Sequence, residues 1–153
     1  MSSKNTIISF LKIMAVFTVL FLVAMPFINS WENQVEKNKH DYFNPGIAAY
    51  QQGNYADAEE KLKQFLAIYP SSSATLYNLG LCTLAEGKKQ EARSDFHQTM
   101  ANSIADYGQK RGPVMCGSRP CGDLSKEMLA WMDQNPNWDA SQTTSVPPFP
   151  SAP

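Results

Sequence analysis

A spacing of 34 residues, found four times in the middle of the chain, limits the fold more than any other feature of this 153-residue sequence. It separates pairs of small or apolar residues, namely Gly46 and Gly80, Gly53 and Gly87, Ala58 and Ala92, and Leu62 and Phe96. Self-similarity at a fixed period indicates stacked units, each of which buries its apolar face against a neighbour. We therefore expect two copies of one unit within residues 41–106.

Each copy is predicted to contain two helices joined by a glycine turn. The predicted helices lie at residues 41–52, 55–69, 73–86 and 89 to about 103, and no proline prevents the last from continuing toward residue 108. Gly53 and Gly87 follow helix ends, where a left-handed backbone is common. Pro70 ends the second helix, and the serines at 71–73 can cap the third.

This pattern resembles the tetratricopeptide repeat family. The matching positions are Gly46, Gly53, Tyr55, Ala58, Leu62 and Pro70 in the first copy, and Leu79, Gly80, Gly87, Ala92 and Phe96 in the second. The resemblance covers about residues 39–103 and implies two repeats of two helices each. Pro45 departs from the family pattern, since a large apolar residue usually precedes the first glycine, and the first helix could begin there.

The family presents a concave groove lined by the first helix of each repeat. Carried onto this sequence, the groove positions of the resemblance are Phe43, Ile47, Tyr50, Tyr77, Asn78, Leu81 and Leu84. Only Asn78 matches the family's clamp for C-terminal carboxylates, so a clamp of that kind is not expected. An open apolar groove is adhesive, and two alternatives follow: a partner helix or peptide lies in it, or the protein's own chain covers it.

A mostly apolar stretch at residues 7–28 is interrupted once, by Lys12. It is long enough to cross a bilayer, which needs about 20 residues, if the Lys12 ammonium reaches the interface. Trp31 follows where an interfacial anchor would lie, and residues 28–30 are a poor signal-peptidase site. A retained signal-anchor over residues 7–30 is therefore favoured over a cleaved signal peptide or a buried helix.

The flanking charges indicate the orientation of this anchor. Lys4 and Lys12 precede the first acidic residue, Glu32, which favours a cytoplasmic N-terminus. Residues 1–6 are then cytoplasmic, residues 31–40 form a juxtamembrane linker, and the repeats lie in the periplasm or another extracytoplasmic space. The predicted location is the inner (cytoplasmic) membrane, crossed once.

A capping helix is predicted at residues 123–134, within a region assigned to residues 107–136. Its apolar residues Leu124, Met128, Leu129 and Met132 fall on one face. Asp123 can cap its start, and Asn135-Pro136 ends it. Because two repeats alone bury little core, such a helix would complete the domain.

Cys116 and Cys121 frame a turn just before that helix. Outside the cytoplasm a disulfide between them is the expected outcome. Free thiols, or a metal or redox role for the pair, are the alternatives. The four intervening residues do not match the two of a thioredoxin-type pair, and the local ligands are too few for zinc.

Residues 137–153 are rich in proline and are predicted to be disordered, the alternative being a polyproline strand on a partner. The net charge of −1 argues against nucleic acid. We expect no catalytic constellation, cofactor, metal or small-molecule substrate. The sequence as a whole predicts an all-α, membrane-anchored protein that binds other proteins, as an accessory subunit or assembly factor of a larger envelope complex. The alternatives are a periplasmic client-binding biogenesis factor and a redox protein using Cys116 and Cys121.

Overall fold

The computed structural model describes residues 3–108 and 114–140, and the chain divides into two compact units at residue 38. The first unit consists of helix α1 (Ser3–Asn38). The second begins with a π-helical turn, Lys39–Phe43, and contains α2 (Asn44–Gln51), α3 (Tyr55–Ile68), α4 (Ser73–Ala85) and α5 (Lys89–Gly108). An antiparallel hairpin of β1 (Met115–Cys116) and β2 (Arg119–Pro120) then leads into α6 (Cys121–Gln134).

Helix α1 is long and apolar enough to cross a membrane, by length and composition alone. None of its most apolar window is buried, and Phe17 and Leu22 are 64% and 65% exposed. A signal sequence near an N-terminus meets the same two criteria, so a retained anchor stays a prediction.

The prediction of an all-α fold is confirmed, apart from the small hairpin. The four helices of the repeat region lie within a few residues of their predicted limits. The first begins at Asn44 rather than residue 41, because residues 39–43 form the π-helical turn, and Pro45 lies at the start of the α-helix that follows it. The fourth continues to Gly108, as the absence of a stop signal allowed.

The 34-residue spacing corresponds to one contact made twice. A Cβ added to Gly46 would lie 3.0 Å from Leu62, and a Cβ added to Gly80 would lie 2.7 Å from the ring of Phe96. In each helix pair, therefore, a glycine on the first helix lets the second approach closely. Gly53 and Gly87 adopt φ of 78° and 79° in the turns between the paired helices, as the sequence predicts.

Helix α4 lies at the centre of the second unit. All of its residues except Ala74 and Ala85 are buried. Its side chains enter two apolar clusters: Leu79 and Cys82 join Ile47, Ala49, Ala58 and Leu62 of α2 and α3, whereas Tyr77, Leu81 and Leu84 join α5, the hairpin and α6. The core is therefore continuous through α4.

Helix α6 covers the second of these clusters. Its buried residues are Cys121, Leu124, Ser125, Met128, Leu129 and Met132, which repeat every three or four positions. The expectation that Asp123 caps this helix is wrong, because the helix begins at Cys121 and Asp123 lies within its first turn. The hairpin directs the chain into the helix two residues earlier than the sequence suggests.

The segment after α6 is ordered further than predicted. Trp138 falls within residues 137–153, which were predicted to be disordered, yet it packs against the cluster of α4, α5 and α6. Its backbone N–H donates to the carbonyl of Asn135 at 3.1 Å, which closes a turn. The remaining predicted tail, residues 141–153, lies outside the described residues.

Gly80→Ala is expected to lower the free energy of unfolding by about 1–2 kcal/mol, because the added methyl group overlaps the Phe96 ring and this outweighs the gain in helix propensity. Gly46→Ala is the matched control, since the flexible Leu62 side chain can move aside, and we expect a change within about 1 kcal/mol. Urea unfolding followed by circular dichroism measures both. Equal effects at the two glycines would contradict the close packing at Gly80.

Candidate protein-binding surface

The residues that the family resemblance assigns to a groove are mostly buried within the chain. Tyr77, Asn78, Leu81 and Leu84 are at most 1% exposed, and Ile47 is 7% exposed. Tyr77, Leu81 and Leu84 pack beneath α6 and the hairpin. The assignment of these seven residues to binding stays a prediction, but only Phe43 and Tyr50 offer a partner part of their surface.

Phe43, in the π-helical turn, and Tyr50, in α2, each contact an aromatic ring of α3. The Phe43 and Phe65 rings lie 5.4 Å apart, and the Tyr50 and Tyr55 rings 5.6 Å apart. Tyr50 packs against both apolar clusters, and burial raises the pKa of its hydroxyl well above the usual range. These rings are therefore held largely by the protein's own core.

Tyr77 connects the covered groove to the hairpin. Its ring lies 5.9 Å from Phe96, and burial raises the pKa of its hydroxyl to about 12. Above it, the Arg119 guanidinium donates to both carboxylate oxygens of Glu127, one at 2.9 Å, and so joins β2 to α6. The hairpin and α6 together thus close the surface that the resemblance leaves open.

A disulfide fixes the hairpin at the base of α6. The sulfur atoms of Cys116 and Cys121 are 2.07 Å apart, and both residues are at most 2% exposed. Thiol–disulfide exchange requires access of a second thiolate to a sulfur atom. Burial therefore favours a structural role. Cys82 is also buried, and burial raises the pKa of its thiol to about 12, so little thiolate forms at neutral pH.

An ionic cluster joins the two helix pairs. Lys88 donates to Glu59 at 2.6 Å and pairs with Glu86 at 2.8 Å, while Lys63 also donates to Glu59. Burial by itself raises the pKa of Glu59, but its contacts with Glu86, Lys63 and Lys88 outweigh burial and lower the pKa to about 2. The carboxylate therefore stays ionised, and its bond to Lys88 ties α3 to the start of α5.

Asp95 lies near this cluster in the opposite situation. Burial raises the pKa of its carboxyl to about 6, with Glu91 and Glu59 adding to the rise and Lys63 and Thr83 opposing it. The charged form is thus less stable in the folded protein than in the unfolded chain. Asp95 therefore destabilises the fold at neutral pH. The helix that carries it, α5, packs against both α4 and α6.

A cleft lies where the start of α5 meets the end of α6, and we call it the tryptophan cleft. Its volume is about 260 Å³. The lining residues come from four segments and are Leu84, Lys89, Gln90, Arg93, Trp131, Met132, Asp133, Asn135, Pro136 and Trp138. The floor is apolar, and the indoles of Trp131 and Trp138 meet edge to face with centroids 5.5 Å apart.

Polar contacts hold the two sides of the tryptophan cleft together. Lys89 donates to the carbonyl of Pro136 at 2.9 Å, and Arg93 pairs with Asp133 at 2.8 Å. Asn135 donates from its side chain to the Trp131 carbonyl at 2.8 Å, which places Trp138 back over the helix. The cleft is therefore a formed site rather than a gap between loose segments.

Of the groove residues predicted from sequence, only Leu84 lines this cleft. Lys89 and Arg93 were missed because their contacts join positions 47 and 40 residues apart in the chain, with Pro136 and Asp133. Trp138 was missed because the segment after α6 was predicted to be disordered. A local signal was present: Asn135-Pro136-Asn137 is a turn sequence that can bring a following aromatic residue back onto the helix. Among the described residues, no cluster of His, Cys, Asp and Glu is suited to hold a metal ion.

Residues 45–103 match the family model described as Tetratricopeptide repeat. The match runs from the start of α2 to residue 103 within α5 and agrees with the resemblance drawn from the 34-residue spacing. Repeats of this family are typically interaction scaffolds without catalytic activity, so a general role in protein–protein interaction is supported. No curated protein and no solved structure matches the chain.

Replacing both Cys116 and Cys121 by Ser is expected to lower the free energy of unfolding by about 2 kcal/mol, the loss predicted for a loop this short. Urea titration with and without reductant checks the size of the effect. The variant should lose no stability when reductant is added, whereas the parent should. Stability unchanged in the variant would contradict a structural role for the disulfide.

Asp95→Asn is expected to raise the free energy of unfolding by about 1 kcal/mol at pH 7, because it removes a partly buried charge that is unfavourable in the folded protein. The gain is smaller than the full pKa shift would give, since solvent screens the partly exposed carboxylate. In the parent, the unfolded state loses this proton near the ordinary pKa of 3.8 and the folded state near 6, so the contribution of Asp95 declines as the pH rises from about 4 to 6. Denaturation at several pH values should show that decline reduced in Asp95→Asn. Asp57→Asn, which removes an exposed carboxylate, is the control; an identical effect there would refute the assignment.

Proposed function

We propose that this protein is a membrane-anchored interaction module, an accessory subunit or assembly factor of a larger membrane complex. The observation that carries the proposal is the apolar surface of α1. Between Ile13 and Met25, the large apolar side chains that the structure describes are 40% to 65% exposed. A surface of that kind associates with other apolar material in water, and a bilayer would cover it.

The second unit supplies the interaction part of the proposal. Its helix pairs match a family of protein-binding scaffolds, and the described residues of both units place no nucleophile beside a base in a cleft. The anchor raises the local concentration of the repeat domain near partners in the membrane. An adaptor of a membrane complex would use both the anchor and the repeat domain.

The orientation follows the sequence argument. With Lys4 and Lys12 on the cytoplasmic side, α2 to α6 lie outside the cytoplasm, where the Cys116–Cys121 disulfide is stable. A redox role for that pair is less well supported, because both cysteines are at most 2% exposed. A client-binding role would have to use surface other than the covered groove positions.

Alkaline extraction of membranes from cells expressing the full chain tests the anchor. We expect the protein in the pellet, with an intact mass that includes residues 1–30. The variant Leu20→Arg/Val23→Arg should shift to the soluble fraction, because each charge at the centre of a span costs about 2.5–3.5 kcal/mol. Ile104→Arg/Met115→Arg, which places the same two charges on exposed residues of the second unit, is the matched control and should stay in the pellet.

Mild detergent extraction and native separation test the adaptor role. The protein should migrate with other membrane proteins in a complex that survives dilution. A product that begins near Trp31 would instead show a cleaved signal peptide, and migration as a lone monomer would contradict the accessory-subunit role.

A further inference from the structure

The tryptophan cleft is suited to an uncharged, extended ligand. Arg93 is neutralised by its ion pair with Asp133, whereas Lys89 donates to the uncharged carbonyl of Pro136 and keeps its positive charge. A basic ligand is repelled by Lys89, and an acidic ligand finds only this one cation without a counter-charge in the lining. The remaining lining, with Leu84, Met132 and both indoles, favours apolar contact.

The two indoles favour proline in particular. Trp131 and Trp138 are half-buried and nearly perpendicular, with an angle of 73° between their planes, so a ring face and a ring edge border the cleft. Proline-rich segments bind aromatic grooves because their rings pack flat on aromatic faces and their extended backbone loses little entropy on binding. Their carbonyls can also accept from indole N–H groups.

A segment of that chemistry follows the cleft in this chain. The 13 residues after Ala140 contain no acidic or basic side chain, and Pro147, Pro148 and Pro150 lie among them. Ala140 is two residues beyond Trp138, so the chain leaves the described fold at the cleft itself. Seven residues can span up to about 25 Å, which is enough for residue 147 to return to the indoles.

We propose that residues 147–150 of the same chain occupy the tryptophan cleft, between the start of α5 and the end of α6. A short tether keeps this ligand at an effective concentration of about millimolar. The segment then competes with other ligands for the cleft. A proline-rich partner enters only if it binds tightly enough to displace a segment held at that effective concentration. This goes beyond the proposed adaptor role, and it can hold even if the membrane anchor fails its test.

Fluorine NMR of the full chain labelled with 5-fluorotryptophan tests the proposal. The protein has three tryptophans, and Trp31 in α1 is the internal reference. Single Trp→Phe variants assign the three resonances. Pro147→Ser/Pro148→Ser/Pro150→Ser should shift the Trp131 and Trp138 resonances and leave Trp31 unchanged, and Thr143→Ala/Thr144→Ala is the matched tail control that should shift none.

A synthetic peptide of residues 141–153 completes the test. Added to the triple-proline variant, it should return both resonances to their parental positions. The parent, whose cleft is already occupied, should need at least about tenfold more peptide for any change. Three results would each overturn the proposal: no shift in the variant, no recovery with peptide, or equal peptide affinity in variant and parent. Parental positions that are lost on dilution would overturn it as well, by identifying the segment of a second copy as the occupant.

Discussion

Burial of helix α4 on all sides is the constraint on which the second unit depends. A surface helix needs only one apolar face, but α4 presents Leu79 and Cys82 to the first helix pair and Tyr77, Leu81 and Leu84 to the other side. Both clusters therefore include side chains of α4. The elements around α4 shield it from solvent. In particular, α6 covers the groove positions of α4, which would otherwise be exposed to water.

The polar groups of α4 show how such a helix is tolerated. Thr83 donates to the carbonyls of Leu79 and Gly80 at 3.0 and 3.2 Å, and the Asn78 amide donates to the carbonyl of Ala74 at 2.8 Å. These bonds lie within the helix, so burial leaves those donors satisfied. At the start of the helix, Ser72 accepts from the Thr75 N–H, as the serine run predicts.

Covering the groove has a consequence for function. A repeat domain with an open groove binds through it, whereas this chain fills that surface with the hairpin, the disulfide and α6. The tryptophan cleft lies instead at the junction of α5 with the C-terminal end of α6, where the two tryptophans meet. The helix that covers the repeats thereby forms one side of a new site. The hydrogen bond from Lys89 to the Pro136 carbonyl and the ion pair of Arg93 with Asp133 hold the two sides of that site together.

Sequence alone determined the parts of this protein that depend on local rules. The spacing of 34 residues predicted both helix pairs, the turn glycines predicted positive φ, and the apolar stripe predicted α6. The tertiary structure decided what depends on distant partners: that Tyr77 and Leu81 face α6 rather than a groove, that α6 begins at Cys121, and that Trp138 folds back on Trp131. The physical reason is that periodicity and backbone preference act over a few residues, whereas burial is shared among side chains brought together from the whole chain.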